Sequence, residues 1–311
     1  MQVPGSSMVN PRSTRYIPTV PTTSKGTRRS FTYLLGDAPS EASRLRFQAR
    51  LWDGTAHALF DRLKVRRGWR VLEVGPGQGS LHMELRRRVR APVDAIEPSE
   101  PFRRRLRQMA ARDGFGEGRV WTEYLADADL PANTYDLIFV RWVFLFLPDP
   151  AGHIRKLAAA LKPGGRLAIQ DYFRDTFLMI PTPREWPAFL ATDHAFFATQ
   201  GGDASIACRL PDLYDAAGLE VVDITPNIKS GHPGSDVWKW ISTYFFGVMG
   251  TLAQVRPFTP AQAERLTRHW LAAAQKKASV LISPALIDVV GRKPAAQRRR
   301  GTKKHRGKRR G

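Results

Sequence analysis

The chain has 311 residues, 42% hydrophobic and 25% charged, which is enough for a sizeable core and ordinary for a globular protein. Its longest apolar run, Trp142 to Leu147, falls far short of the ~20 residues a membrane span needs. Nothing near Met1 has the long apolar core of a secretory signal, so the expectation is a cytoplasmic protein without membrane contact. Cys208 is the only cysteine, which excludes an intramolecular disulfide and a cysteine-rich zinc site. The seven histidines show no ligand spacing, so no metal is expected. Net charge is +21, but no acid precedes Asp37 or follows Asp288. Five Lys/Arg fall in residues 1–29 and eleven in 289–311, leaving about +5 for the rest. The basicity belongs to the ends.

Residues 1–29 are rich in Pro, Ser, Thr and basic residues, and read as a disordered basic leader. From Ser40, Leu45, Leu51, Ala56, Leu59 and Leu63 recur at roughly helical intervals. Strand and helix patterns then alternate: strand 70–74, helix 79–89, strand 93–97, helix 100–114, strands 120–126 and 135–140, helix 150–161, a turn at 162–165 and strand 166–172. Such alternation predicts a parallel sheet covered on both faces. An aromatic-rich helix is expected at 183–200, a helix at 210–218, a strand at 219–224, helices between about 235 and 277, and a closing strand at 285–291. Thr259, Pro260 and Gln262 fit the start of the last of these helices. One domain therefore spans 30–291, with lid insertions at about 173–205 and 229–278, followed by a disordered basic tail at 292–311.

The stretch "VLEVGPGQGSL" (71–81) is a strand, a glycine turn and a helix start, with glycines at 75, 77 and 79. The dinucleotide fingerprint needs G-x-G-x-x-G/A, and Ser80 stands where its third small residue should be. Glu73, two residues before the turn, would repel a pyrophosphate and suit an ammonium group. S-adenosylmethionine carries an ammonium, a sulfonium and no phosphate, and its carboxylate can lie at the helix N-terminus. Glu97, ending the second strand, can accept from two ribose hydroxyls, which serves NAD equally well. Asp127 is placed to accept from an adenine amino group, with the Ala128 N–H facing the ring; solvation is the plainer reading of Asp127 alone.

With "AIEPSE", "ADADLPANTYDLIFV" and "AALKPGGRLAI" following in order, the chain resembles the class I S-adenosylmethionine-dependent methyltransferases, of small-molecule type, over about residues 40–291. The resemblance implies a Rossmann-like three-layer sandwich: a seven-stranded, mostly parallel sheet with its last strand antiparallel, and helical lid insertions. It implies S-adenosylmethionine as cofactor, held by Glu73, Gly75, Gly77 and Gly79 at the methionine part, Glu97 and Pro98 at the ribose, and Asp127 with Ala128 at the adenine. Arg141 would sit beside the sulfonium, and Tyr33 and Gln48 would close over the cofactor. The stretch "VRWVFLFLPDP" lacks the N/D-P-P-Y/F motif of enzymes that methylate exocyclic amines of DNA bases, which disfavours that substrate.

Methyl transfer is an in-line displacement that gains most from alignment and exclusion of water, and a base is needed only when the acceptor must lose a proton. Base candidates are His194, Asp171, Tyr172 and His153. His194 would face the acceptor from the lid; Asp171 and Tyr172 end a strand where open sheets place ligands. For His153 and His194 the plainer readings are packing and a polar helix face. Trp186, Trp238, Trp240, Tyr244, Phe245 and Phe246 would line an apolar acceptor pocket or form the core joining the insertions to the sheet. The tail, "QRRRGTKKHRGKRRG" (297–311), suits non-specific nucleic-acid contact by counterion release but has no aromatic for stacking. The expected function is methyl transfer to a small, partly apolar metabolite. The alternatives are an RNA or protein methyltransferase recruited by the tail, a non-catalytic nucleic-acid-binding protein on this fold, and a dehydrogenase.

Overall fold

The computed structural model describes residues 39–295. Tyr33, the leader and residues 296–311 of the tail lie outside the described residues. In chain order the elements are α1 (Pro39–Arg62), β1 (Val71–Val74), α2 (Ser80–Val89), β2 (Asp94–Ile96), α3 (Glu100–Asp113), β3 (Val120–Trp121), β4 (Tyr135–Arg141), α4 (Pro150–Ala160) and β5 (Leu161–Phe173). Then follow β6 (Leu178–Ile180), α5 (Trp186–Thr199), α6 (Leu210–Ala216), β7 (Glu220–Asn227), β8 (Ser230–Gly231), α7 (Asp236–Leu252), α8 (Pro260–Ala273), β9 (Val280–Ile282) and β10 (Ala285–Arg292).

Seven strands form one sheet in the order β3-β2-β1-β4-β5-β10-β7. The first five pair in parallel, and β10 runs antiparallel between β5 and β7. The fold is the Rossmann-like sandwich expected, with helices packed on the sheet. Its central strands are largely apolar, and β1 is buried throughout, Glu73 included, as strands covered on both faces are. One polar network crosses the sheet. Asp288, fully buried on β10, accepts from Arg62 Nη2 (2.7 Å), Gln170 Nε2 (2.6 Å) and Asn227 Nδ2 (3.0 Å), joining α1, β5 and β7. Burial pushes the Asp288 carboxyl up, and these donors oppose it.

Three details depart from expectation. The third strand is only two residues long, because the chain turns at Tyr124, whose carbonyl accepts from both Asp127 N and Ala128 N. The turn expected at 162–165 is part of a 13-residue β5, with a register shift against β4 between Tyr135 and Leu137. A second, three-stranded sheet, β6-β9-β8, ties the two insertions together. Helix α8 opens with the expected capping box of Thr259 and Gln262. Among the described residues, no helix is long and apolar enough to cross a membrane.

Candidate cofactor and acceptor site

The glycine turn leaves β1 at the carboxyl edge of the sheet. Gly75, Gly77 and Gly79 all have positive φ, at 70°, 52° and 79°, a conformation that side chains disfavour. Their surroundings differ. A Cβ on Gly75 would meet Val143 at 2.7 Å, and one on Gly79 would meet Met109 at 2.8 Å, so these two glycines let the loop after β4 and helix α3 approach. A Cβ on Gly77 would meet nothing within 4 Å. Gly77 therefore borders open space, as a residue lying against a ligand should. Helix α2 starts at this turn without a side-chain cap, leaving its first N–H groups to an anion.

Two carboxylates flank the turn. Glu97 is buried; its Oε2 accepts from Gly77 N (3.1 Å) and its Oε1 from Ser99 N (2.9 Å). Burial pushes its carboxyl up, against those two hydrogen bonds and Arg103. A carboxylate has about four acceptor sites, so both oxygens retain capacity for hydroxyl donors. The Glu97 carbonyl, and that of half-buried Pro98, accept from Arg103, which fixes the loop. Glu73 is buried too, with Oε2 3.0 Å from Nδ1 of buried His82 on α2. His82 went unnoticed in the sequence because it occupies an apolar-face position of the helix; the signal was a titratable residue nine positions after Glu73. Asp127 is exposed at the end of the short third-strand turn. The Ala128 N–H closes that turn on Tyr124 O at 3.0 Å, instead of standing free to face a ring.

Arg141 ends β4. Its Nη2 donates to Asp53 Oδ1 at 2.6 Å, its guanidinium lies 4.4 Å from the Trp142 ring centroid, and its buried Nη1 has no partner among the described residues. Trp142 has φ of 55°, rare for a bulky residue and the kind of strain that clusters at functional sites. Gln48, buried on α1, accepts from Arg44 (2.7 Å) and Trp240 Nε1 (3.4 Å).

The base candidates separate. Both oxygens of fully buried Asp171 face backbone: Oδ1 accepts from Tyr172 N (2.9 Å) and Oδ2 from Leu145 N (3.1 Å). Burial pushes its carboxyl up to about 7, and its place is to hold the turn after β4. Tyr172 packs against Trp142 at 5.9 Å. Burial pushes its phenol up, and the nearby Arg174, Arg44 and Arg141 guanidiniums oppose this. His194 Nε2 lies 3.5 Å from Asp175 Oδ1 without hydrogen-bond geometry, so this nitrogen faces the β5–β6 turn. His153 is buried on α4, and burial lowers its pKa. Of the aromatics, Trp186, Phe245, Trp238 and Trp240 are buried in the core, Phe246 is exposed, and Tyr244 donates to Asp193.

Residues 72–169 match the family described as Methyltransferase domain. A 27-O-demethylrifamycin SV methyltransferase of Amycolatopsis mediterranei is 31% identical over 164 residues, covering 51% of this chain and 56% of that protein. A trans-aconitate 2-methyltransferase of Rhodopseudomonas palustris is 32% identical over 104 residues, covering 32% of this chain and 38% of that protein. The chain thus spans about half, or less, of the length of these curated relatives. The fold of the YcgJ protein of Bacillus subtilis superimposes with a TM-score of 0.52 at 16% identity, covering 77% of this chain and 98% of that one. Residues 72–169 thus match a methyltransferase domain, and the chain is similar to these methyltransferases over part of its length.

Proposed function

We propose that the protein transfers the methyl group of S-adenosylmethionine to a small, partly apolar metabolite. The carrying observation is the open space at Gly77, bordered by Glu73 and Glu97 at the carboxyl edge of the sheet. There the uncapped α2 N-terminus would hold the cofactor's carboxylate, Glu73 its ammonium, and Glu97 its ribose hydroxyls. Pro98 would line the ribose, Asp127 would meet the adenine amino group, and Arg141 would border the sulfonium. When bound, the cofactor supplies an activated methyl carbon. The chain's own contribution is alignment and dryness: α1, α5 and α7 bring Trp52, Phe197 and Trp240 into one apolar cluster with Val74 of β1 and Val140 of β4, which would keep water from the methyl group. Asp171 is spent on the backbone, so no side chain is assigned as general base. An acceptor that needs none is favoured.

The relatives named for a rifamycin and for trans-aconitate act on small molecules by their names, which supports a metabolite over a macromolecule. The test is methyl-labelled cofactor added to separated metabolite, RNA and protein pools, with wild type and Gly77→Arg in parallel. Label is expected in a small molecule with wild type only. Label in RNA or protein, or equal labelling by both proteins, would overturn the reading.

A further inference from the structure

Three buried N–H donors without acceptors lie side by side where α1 crosses the end of β4. Trp52 is fully buried, and its Nε1 has no partner among the described residues. The same holds for Trp142 Nε1 and for Arg141 Nη1, on a side chain that is only 10% exposed. Trp52 and Trp142 pack edge to face with ring centroids 6.4 Å apart, and the Arg141 guanidinium lies over Trp142. Lys229 Nζ, 5.1 Å from the Trp52 ring centroid, adds a second cation with no carboxylate partner among the described residues. A buried donor without an acceptor is unfavourable, the more so when charged, so three together mark a place suited to an oxygen acceptor. Asp53 neutralises one edge of Arg141 and leaves the other edge positive.

We propose that Trp52, Arg141 and Trp142, with Lys229 beside them, form a subsite for a carboxylate of the methyl acceptor. This rests on the methyltransferase reading and names the substrate class. The acceptor is the favoured source of the carboxylate because Trp52 also packs on Trp240 (5.5 Å), and both Trp240 and Lys229 follow β7 in the second insertion. The cofactor's own carboxylate has the uncapped α2 N-terminus. A guanidinium beside a sulfonium repels it, and a seated anion relieves that repulsion. The aromatic walls suit an acid with a flat apolar body.

The test uses the full-length protein saturated with S-adenosylhomocysteine. Benzoate, phenylacetate and 3-phenylpropanoate are titrated, each against its own neutral amide. Calorimetry gives affinities, and indole proton–nitrogen spectra follow the eight tryptophans. At least one acid should bind about tenfold or more tighter than its amide, moving the indole signals of Trp52 and Trp142, as Trp→Phe variants identify them. Arg141→Met should abolish the preference, and Lys229→Met, at a residue given no part in holding the cofactor, should weaken it while S-adenosylhomocysteine affinity changes less than about threefold. Trp142→Phe, which keeps the ring and removes one N–H, should weaken it in part. No preference in any pair, or preference without movement of those two signals, overturns the proposal. Loss of S-adenosylhomocysteine affinity in Lys229→Met would give the subsite to the cofactor's carboxylate and also overturn it. If wild type fails to bind S-adenosylhomocysteine at all, the methyltransferase reading itself falls.

Discussion

The stretch from Val71 to Arg141 and the insertions after β5 solve the same problem with different materials. In the first, polar chemistry runs through the main chain: three glycines of positive φ, an uncapped helix start, and Glu97 bonded to two backbone amides. In the second it runs through side chains far apart in sequence. Arg174 donates to Asp193 by Nε (2.6 Å) and Nη2 (3.1 Å), Tyr244 donates to the same carboxylate, and the Arg174 guanidinium lies over the Phe197 and Tyr244 rings. Backbone chemistry needs a fixed local spacing, whereas side-chain chemistry needs only a meeting point. The first region can therefore be shared among relatives with different acceptors, while the second is free to change.

The largest expected effect falls on the second region. Asp193→Ala leaves Arg174 buried without its partner, which costs ~3–5 kcal/mol, and should be the most damaging single change to the melting temperature. Gly77→Arg probes the first region. It should weaken S-adenosylhomocysteine about a hundredfold by calorimetry, with only the ~1–2 kcal/mol of a side chain at positive φ lost from stability. Equal losses in both measurements would erase the distinction between a binding backbone and a structural one.

A subtler contrast is in pH. The folded pKa of Asp171, about 7, lies above its unfolded value of 3.8. Its contribution to stability is therefore complete below about pH 4 and is lost as pH rises through 7. Denaturant melts of wild type should lose stability between about pH 4 and 7 more steeply than Asp171→Asn. Glu97 and Asp288 shift in the same direction and remain in both proteins, so the difference reports Asp171. The smallest effect is expected from His194→Ala, whose ring faces Asp175: less than about a twofold change in label transfer once the acceptor is found. A hundredfold loss would make it the base.

The same contrast explains what was legible in the sequence. The alternation of strands and helices, the antiparallel last strand and the glycine turn are local patterns or follow from a resemblance carried by local motifs. Glu73 and Glu97 could be singled out because each ends a strand. The partners that decide their surroundings could not. His82 looks like one more helix residue, and Trp52, Arg141 and Trp142 meet only when α1 folds onto β4. The three-stranded sheet escaped because its strands are two or three residues long and come from segments up to a hundred residues apart. Asp171 ends a strand in a suggestive place, yet its oxygens turn to the backbone of Leu145 and Tyr172, and no periodicity announces that.

The direction of β10 has a consequence for how this molecule can be handled. Because β10 runs against its neighbours, Arg292 pairs with Arg166 in the first half of β5, and Lys293 bonds to Gly164 and Gly165. Tyr172, at the other end of β5, is six residues from Arg166, about 20 Å of strand. The described chain therefore leaves the sheet toward the amino ends of its parallel strands, opposite the edge where the glycine turn leaves β1. A fusion made directly after Lys293 would start at that far edge, away from Gly77.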